Sequence, residues 1–313
     1  MKKIILLCFG MFGLLTSVYA GKVPMASLDL GAAHKGGLVS PQLTGNILDY
    51  QEWGGYFVFL QTHWFKLLFG YVTLGILIVF LLHYLIIGPK RFSHKGERFY
   101  VFSLFMRVIH WMAAISFILI IPTGFMMVFG KYFGGGNLVL FARYLHDIGT
   151  VLFTITVIPM FLVWLVPMLP TVDDIKWIFM AGGYLSKKKR EIPAGKFNAG
   201  QKMWFWLATI GGFVMIITGA MMYFQDFDLP ILKTIGLDMD QIDLDRLAAI
   251  VHNFLGVAVA AFFITHLYMS IFAIKGSLES MLCGYKDEDE LKHLHSSYYK
   301  KLIKKEQKRA EPS

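Results

Sequence analysis

The chain has 313 residues, 56% of them hydrophobic, with 28 Phe, 17 Met and only 16% charged residues. That composition lies outside the range of soluble globular domains and implies a polytopic helical membrane protein. The net charge of +9 sits in short loops between apolar segments, which reads as a topology signal and argues against a nucleic-acid partner.

In chain order, residues 1–20 combine Lys2-Lys3, an apolar middle and a Val18-Tyr19-Ala20 end. This is a signal-peptide pattern with cleavage expected after Ala20; an uncleaved anchor helix is the other reading. Residues 21–60 are Gly-rich, weakly patterned and expected to be periplasmic. Five apolar segments follow at 64–87, 104–129, 144–169, 203–224 and 247–274, each long enough to cross ~30 Å of hydrocarbon. The first belongs to an N-terminal unit, 61–100, made of a span and a basic loop. The other four occupy 101–285, and residues 286–313 form a basic tail.

Loop charge sets the expected orientation. The 88–103 loop carries Lys90, Arg91, Lys95 and Arg98, and the 170–202 loop carries seven lysines and arginines against Asp173, Asp174 and Glu191. The 225–246 loop instead holds six aspartates with Lys233 and Arg246. The basic loops and C-terminus are therefore expected in the cytoplasm and the mature N-terminus in the periplasm, across a bacterial inner membrane.

Four histidines lie inside these spans: His110, His146, His252 and His266. An ionisable group there is costly and marks a functional site by default. His252 and His266 are 14 residues apart, so one helix presents both on nearly one face, ~21 Å apart along its axis. By depth, His110 pairs with His266 towards the cytoplasm and His146 with His252 towards the outside. Neutral imidazole is a common ligand of haem iron, and two of them leave no open position, which suits electron transfer. The competing reading is four structural hydrogen bonds between helices. Gly124 and Gly256 are placed to give a flat macrocycle clearance. Cys8 and Cys283 are too few for a cysteine-ligated cluster, and no Cys-x-x-Cys-His exists for covalent haem. The fold class is all-α, a polytopic membrane protein with a four-helix haem-binding bundle plus one additional N-terminal transmembrane helix. His63 and His83 bracket that extra span and read as interface residues. Arg107, Arg143, Arg246 and Lys275 suit haem propionates, although snorkelling anchors look the same in a sequence.

A second motif, Lys196-Phe197-Asn198-Ala199-Gly200-Gln201-Lys202, opens the fourth span. Asn198 and Gln201 suit a helix cap, with Gly200 allowing close backbone approach. The same amides also suit hydrogen bonding to a quinone carbonyl.

Arg107-Val-Ile-His110-Trp111, Arg143-Tyr-Leu-His146, the 196–202 motif and the run from His252 through His266-Leu-Tyr-Met to Lys275-Gly-Ser resemble the cytochrome b556 (gamma) subunit of respiratory, membrane-bound formate dehydrogenase, over about 101–285. The resemblance implies two haem b groups, one ligated by His146 and His252 and the other by His110 and His266. It also implies a quinone, menaquinone or ubiquinone, bound near the inner haem by Asn198, Gly200 and Gln201. The implied partners are an iron–sulfur beta subunit and a molybdenum- or tungsten-containing alpha subunit. On this reading the chain passes electrons from the periplasmic side to a membrane quinone and does not itself oxidise formate. The residues alone leave open the cytochrome b subunit of a nickel–iron hydrogenase or thiosulfate-type reductase, and a haem-free membrane anchor. The N-terminal 100 residues are additional to shorter members of the family.

Overall fold

The computed structural model describes residues 57–224 and 241–310. The signal-like segment 1–20, nearly all of 21–60, and Asp226, Asp228, Asp238 and Asp240 of the acidic loop lie outside the described residues. The chain is mostly helical. Its elements run α1 (Phe57–Ile86), α2 (Leu104–Val128), α3 (Gly136–Trp164), the short α4 (Val172–Phe179), α5 (Ala199–Tyr223) and α6 (Gln241–Ala273). All of these except α4 are long and apolar enough to cross a membrane, as the hydropathy pattern predicts.

Their bounds differ from the hydropathy reading for a physical reason. Helix α3 begins at Gly136 rather than near 144, and α6 at Gln241 rather than near 247. The opening of α6 is polar but helical, whereas that of α3, residues 136–143, is mostly apolar and follows directly on the glycine turn. In α6, Arg246 pairs with Asp243 at 2.9 Å and Gln241 donates to Asp245 at 2.9 Å. A hydropathy window passes over polar turns such as these in α6, and helix ends are its least certain feature. Helix α1 likewise starts at Phe57 rather than near 64. At the other end of α3, Pro167 sits in a 3-10 turn (Val166–Met168) that stops the helix before the expected residue 169.

Helices α2 and α3 form a tight antiparallel hairpin. Gly134, Gly135 and Gly136 turn the chain with φ of 80°, 63° and 54°, a region that costs glycine little. The two helices then approach closely at Gly149, where a Cβ would come within 2.9 Å of the Leu119 and Ile120 side chains. A common core of Phe117 (α2), Phe153 and Val157 (α3), Phe205 and Ala208 (α5), and Val259 and Phe263 (α6) joins these four helices. Helix α1 docks outside that core. Its Phe65 and Phe69 pack with Val257 and Ala260 of α6 and against Phe125 and Phe129. His83, expected as a plain interface residue, fastens the other end of α1. Its Nε2 bonds the Tyr184 carbonyl at 3.0 Å and its Nδ1 lies 2.5 Å from the Tyr268 hydroxyl.

The C-terminal residues are not a free tail; they cap the basic end of the bundle. Strand β1 (Arg98–Tyr100) pairs antiparallel with β2 (Tyr285–Asp287), Phe99 opposite Lys286. Helices α7 (Glu279–Cys283), α8 (Glu288–Leu294) and α9 (Ser296–Ala310) complete the cap. Backbone bonds from Ile192 to His293 (2.7 Å) and from Tyr298 to Ala194 (3.1 Å) stitch the loop after α4 to this cap. Lys286 and Glu290 form a buried ion pair inside it. His295 is fully enclosed and donates to the Gly195 carbonyl at 2.9 Å; burial pushes its pKa down to about 4.

Candidate functional site

The four span histidines meet in two pairs. His146 of α3 faces His252 of α6 with ring centroids 6.5 Å apart. His110 of α2 faces His266 of α6 with centroids 6.2 Å apart. Metal–imidazole bonds of ~2.0–2.1 Å on opposite sides of one iron place two ring centroids ~6.3 Å apart, so each pair is spaced as axial ligands of one haem would be. Helix α6 is regular α-helix from Gln241 to Leu267, so the 14-residue step between His252 and His266 separates the pairs by ~21 Å.

The pair nearer the α2–α3 turn lies further from its helix starts than the hydropathy reading implies, because α3 begins at Gly136 and α6 at Gln241. Its imidazoles are also firmly held. His146 Nδ1 lies 3.2 Å from Thr123 Oγ1 and donates to the Ile120 carbonyl at 3.1 Å. His252 Nδ1 lies 3.0 Å from Thr218 Oγ1, with the Met215 carbonyl as a second acceptor. A Cβ on Gly124 would stand 3.4 Å from His146 Cε1, and one on Gly219 would stand 3.4 Å from His252 Cε1. Gly124 therefore lies beside this pair as its spacing predicts. A Cβ on Gly256, one turn beyond His252, would meet the end of the Met215 side chain at 3.7 Å, and the glycine directly against the His252 ring is Gly219. Position within α6 could not reveal Gly219, because it lies on the facing helix.

The other pair has different surroundings. His110 Nδ1 is buried with no hydrogen-bond partner among the described residues. His266 stacks on the Trp204 indole, with centroids 5.9 Å apart and planes 24° apart. Trp111 stands edge-on to His110 and ties this end down through Nε1 to the Met281 carbonyl at 3.0 Å. Arg107, one turn before His110, donates to the Leu282 carbonyl, while its buried Nε has no partner among the described residues. Between the two pairs lie Phe117, Phe153, Trp204 and Phe263, in mutual ring contact.

The 196–202 motif opens α5 as a reciprocal capping box. Asn198 Oδ1 accepts from the Gln201 N–H at 3.0 Å, and Gln201 Oε1 accepts from the Asn198 N–H at 2.9 Å. The amide oxygens are thus engaged, whereas both NH2 groups are without hydrogen-bond partners among the described residues. Gly200 admits a close neighbour, as expected, but that neighbour is the Trp177 ring, 3.0 Å from where a Cβ would be. Lys202 turns inward to Asp174 at 2.7 Å and to Thr171 at 3.3 Å. Lys196 donates to the Val101 carbonyl at 2.8 Å, and burial lowers its pKa. Gln201 precedes Trp204 by three residues on one helix face, so the capping box and the indole on His266 form one continuous wall.

Thr123, Thr218, Gly219 and Trp204 escape a reading centred on histidines. The signal for three of them is present as a repeated Thr-Gly step, 123–124 and 218–219, but it precedes the histidines it serves by unequal distances on different helices.

Residues 101–284 match the family model described as prokaryotic cytochrome b561. The chain is similar to the nitrate-inducible formate dehydrogenase cytochrome b556(Fdn) subunit of Escherichia coli strain K12, 26% identical over 214 residues, which covers 65% of this chain and 91% of that one. The formate dehydrogenase cytochrome b556(fdo) subunit of the same organism is 27% identical over 223 residues, 66% of this chain and 93% of its own. The formate dehydrogenase cytochrome b556 subunit of Haemophilus influenzae is 26% identical over 208 residues, 63% and 80% respectively.

Proposed function

The chain belongs to the prokaryotic cytochrome b561 family, and from that premise we propose that it is the membrane cytochrome b subunit of a formate dehydrogenase, delivering electrons to a membrane quinone. The observation that carries this reading is the double pairing: two histidine couples, 6.5 and 6.2 Å between ring centroids, share one helix in a chain similar to formate dehydrogenase cytochrome b556 subunits. His146 and His252 would hold one haem b, and His110 and His266 a second. Two bis-imidazole haems supply one-electron carriage between the membrane faces.

The basic loops favour a cytoplasmic location for the His110–His266 end. Electrons then arrive at His146–His252 from a periplasmic iron–sulfur subunit, itself reduced by a molybdenum or tungsten subunit. There formate yields carbon dioxide, one proton and two electrons. At the far end the quinone gains two electrons and two protons and becomes a quinol. The amide NH2 groups of Asn198 and Gln201 are the donors suited to its carbonyl, beside the Trp204 indole that covers His266. Helix α4 and the Asp174–Lys202 pair hold this wall in place.

The test is purification of the intact complex from the native membrane. Formate is expected to reduce all of its b haem anaerobically, and added quinone to reoxidise it. Co-purification with a nickel–iron subunit and reduction by hydrogen instead of formate would overturn the partner assignment. Absence of a b-type spectrum would overturn the cytochrome reading itself in favour of a haem-free anchor.

A further inference from the structure

The two helices that flank the His146–His252 pair carry the same device. In α2, Ile120, Thr123 and Gly124 face His146; in α5, Met215, Thr218 and Gly219 face His252. Each device has a carbonyl, a threonine three residues on, and a glycine next to it. Helix α2 serves α3 and α5 serves α6, so two helix pairs repeat one arrangement.

The hydrogen-bond directions are determined. Thr123 Oγ1 donates to the Leu119 carbonyl at 2.5 Å, and Thr218 Oγ1 donates to the Val214 carbonyl at 2.8 Å. Each hydroxyl proton is thereby used within its own helix, and the oxygen presents lone pairs to the imidazole. A backbone carbonyl only accepts. Both Nδ1 atoms therefore carry the proton and donate it to two oxygens, which leaves Nε2 with its lone pair free for a metal. The glycine beside each threonine keeps the Cε1 edge of the ring clear. The other pair has no counterpart: His110 Nδ1 meets no acceptor among the described residues, and His266 lies against an indole face.

We infer that Thr123 and Thr218 are positioning residues that set the reduction potential at the His146–His252 pair below that at the His110–His266 pair. This rests on the proposal that both pairs ligate haem iron. A hydrogen bond from Nδ1–H to an oxygen makes Nε2 a stronger electron donor. Stronger donation favours the more highly charged, oxidised iron, so it lowers the potential. Two such ligands act on one iron, and the other pair lacks this help through His110. Electrons run towards the higher potential, from His146–His252 to His110–His266. The threonines would thus give the bundle its direction.

The experiment is a spectroscopic redox titration of the intact complex carrying Thr123→Val, Thr218→Val, or both, with His252→Ala identifying which component belongs to the pair. Valine keeps the shape and removes the oxygen. The expected result is full haem content, a positive shift of the lower-potential component in each single variant, a larger one in the double variant, and an unmoved second component. The low-spin electron paramagnetic resonance signal of the first pair should shift with it. An unchanged potential at full haem content overturns the inference, as does a His252→Ala titration that lacks the higher of the two wild-type components. Retention of both haems in His252→Ala overturns the underlying ligand reading instead. Should the valine variants lose haem, Thr→Ser at both sites decides. Wild-type haem content and potential would support the oxygen's role, and equal loss with the hydroxyl retained would overturn it.

Discussion

The two histidine pairs are built from the same residue type at nearly the same spacing, yet their environments are opposite. Around His146 and His252 every ring Nδ1 has an oxygen from a neighbouring helix, and a glycine lies against each ring. Around His110 and His266 the neighbours are the indoles of Trp111 and Trp204, the second of them one turn beyond a helix-capping box, and one ring nitrogen has no acceptor among the described residues. The first arrangement fixes a tautomer and a ring plane. The second leaves hydrogen-bonding capacity near a helix start, where a further polar ligand can be accommodated. A site that only relays electrons gains from rigidity, whereas one that hands them to an exchangeable molecule needs an open donor.

The sharpest way to break this contrast is to delete one pair at a time. His252→Ala and His110→Ala should each remove one of two haems, read as half the wild-type haem-to-protein ratio, with the other haem's spectrum intact. Loss of both from either substitution would mean that the pairs are not separate sites.

Next in size is a pH effect confined to the cap over the His110–His266 end. His295 titrates near ~6.5 in an unfolded chain and at about 4 in the folded one. Between those values the unfolded chain takes up a proton that the folded chain refuses. Stability therefore falls as pH drops through that window, by about 3 kcal/mol in total, and has no such slope above it. Protease resistance of α8 and α9 in detergent should decline over this range, and His295→Gln should flatten the decline. A cap equally resistant at pH 4.5 and pH 7 would refute the assignment.

The smallest effect separates capping from quinone binding. Asn198→Asp keeps an oxygen for the Gln201 N–H, replaces the NH2 donor by an acceptor, and adds a negative charge that a helix start favours. Quinone reduction should fall about tenfold, ~1.4 kcal/mol, with thermal stability held, since Asp and Asn cap helices equally well. An unchanged rate would leave the motif a helix cap alone.

Much of this is legible in the sequence. The apolar runs are long because they must satisfy their backbone in hydrocarbon, so the five spans and their alternation follow from composition and order. The pairing by depth follows from helical rise, which converts 14 residues into a distance. Less was visible at the helix ends. Polar turns such as Asp243–Arg246 are helical, and an apolarity scale does not register them. The C-terminal segment reads as a charged tail, yet it folds back through backbone bonds at Ile192 and Ala194, and backbone pairing leaves no side-chain pattern.

The sequence by itself determined which residues are costly enough to need a purpose: four histidines in apolar helices, and an Asn-x-x-Gln step at a helix start. Periodicity along one helix carries that information. Only the tertiary structure decided what surrounds them. Thr123 lies 23 residues before the histidine it holds, Thr218 lies 34 before its own, and Trp204 stacks on a histidine 62 positions away. Each of those contacts crosses between helices, and the register of one helix against another is set by packing of the shared Phe117–Phe153–Phe263 core, which no single helix encodes.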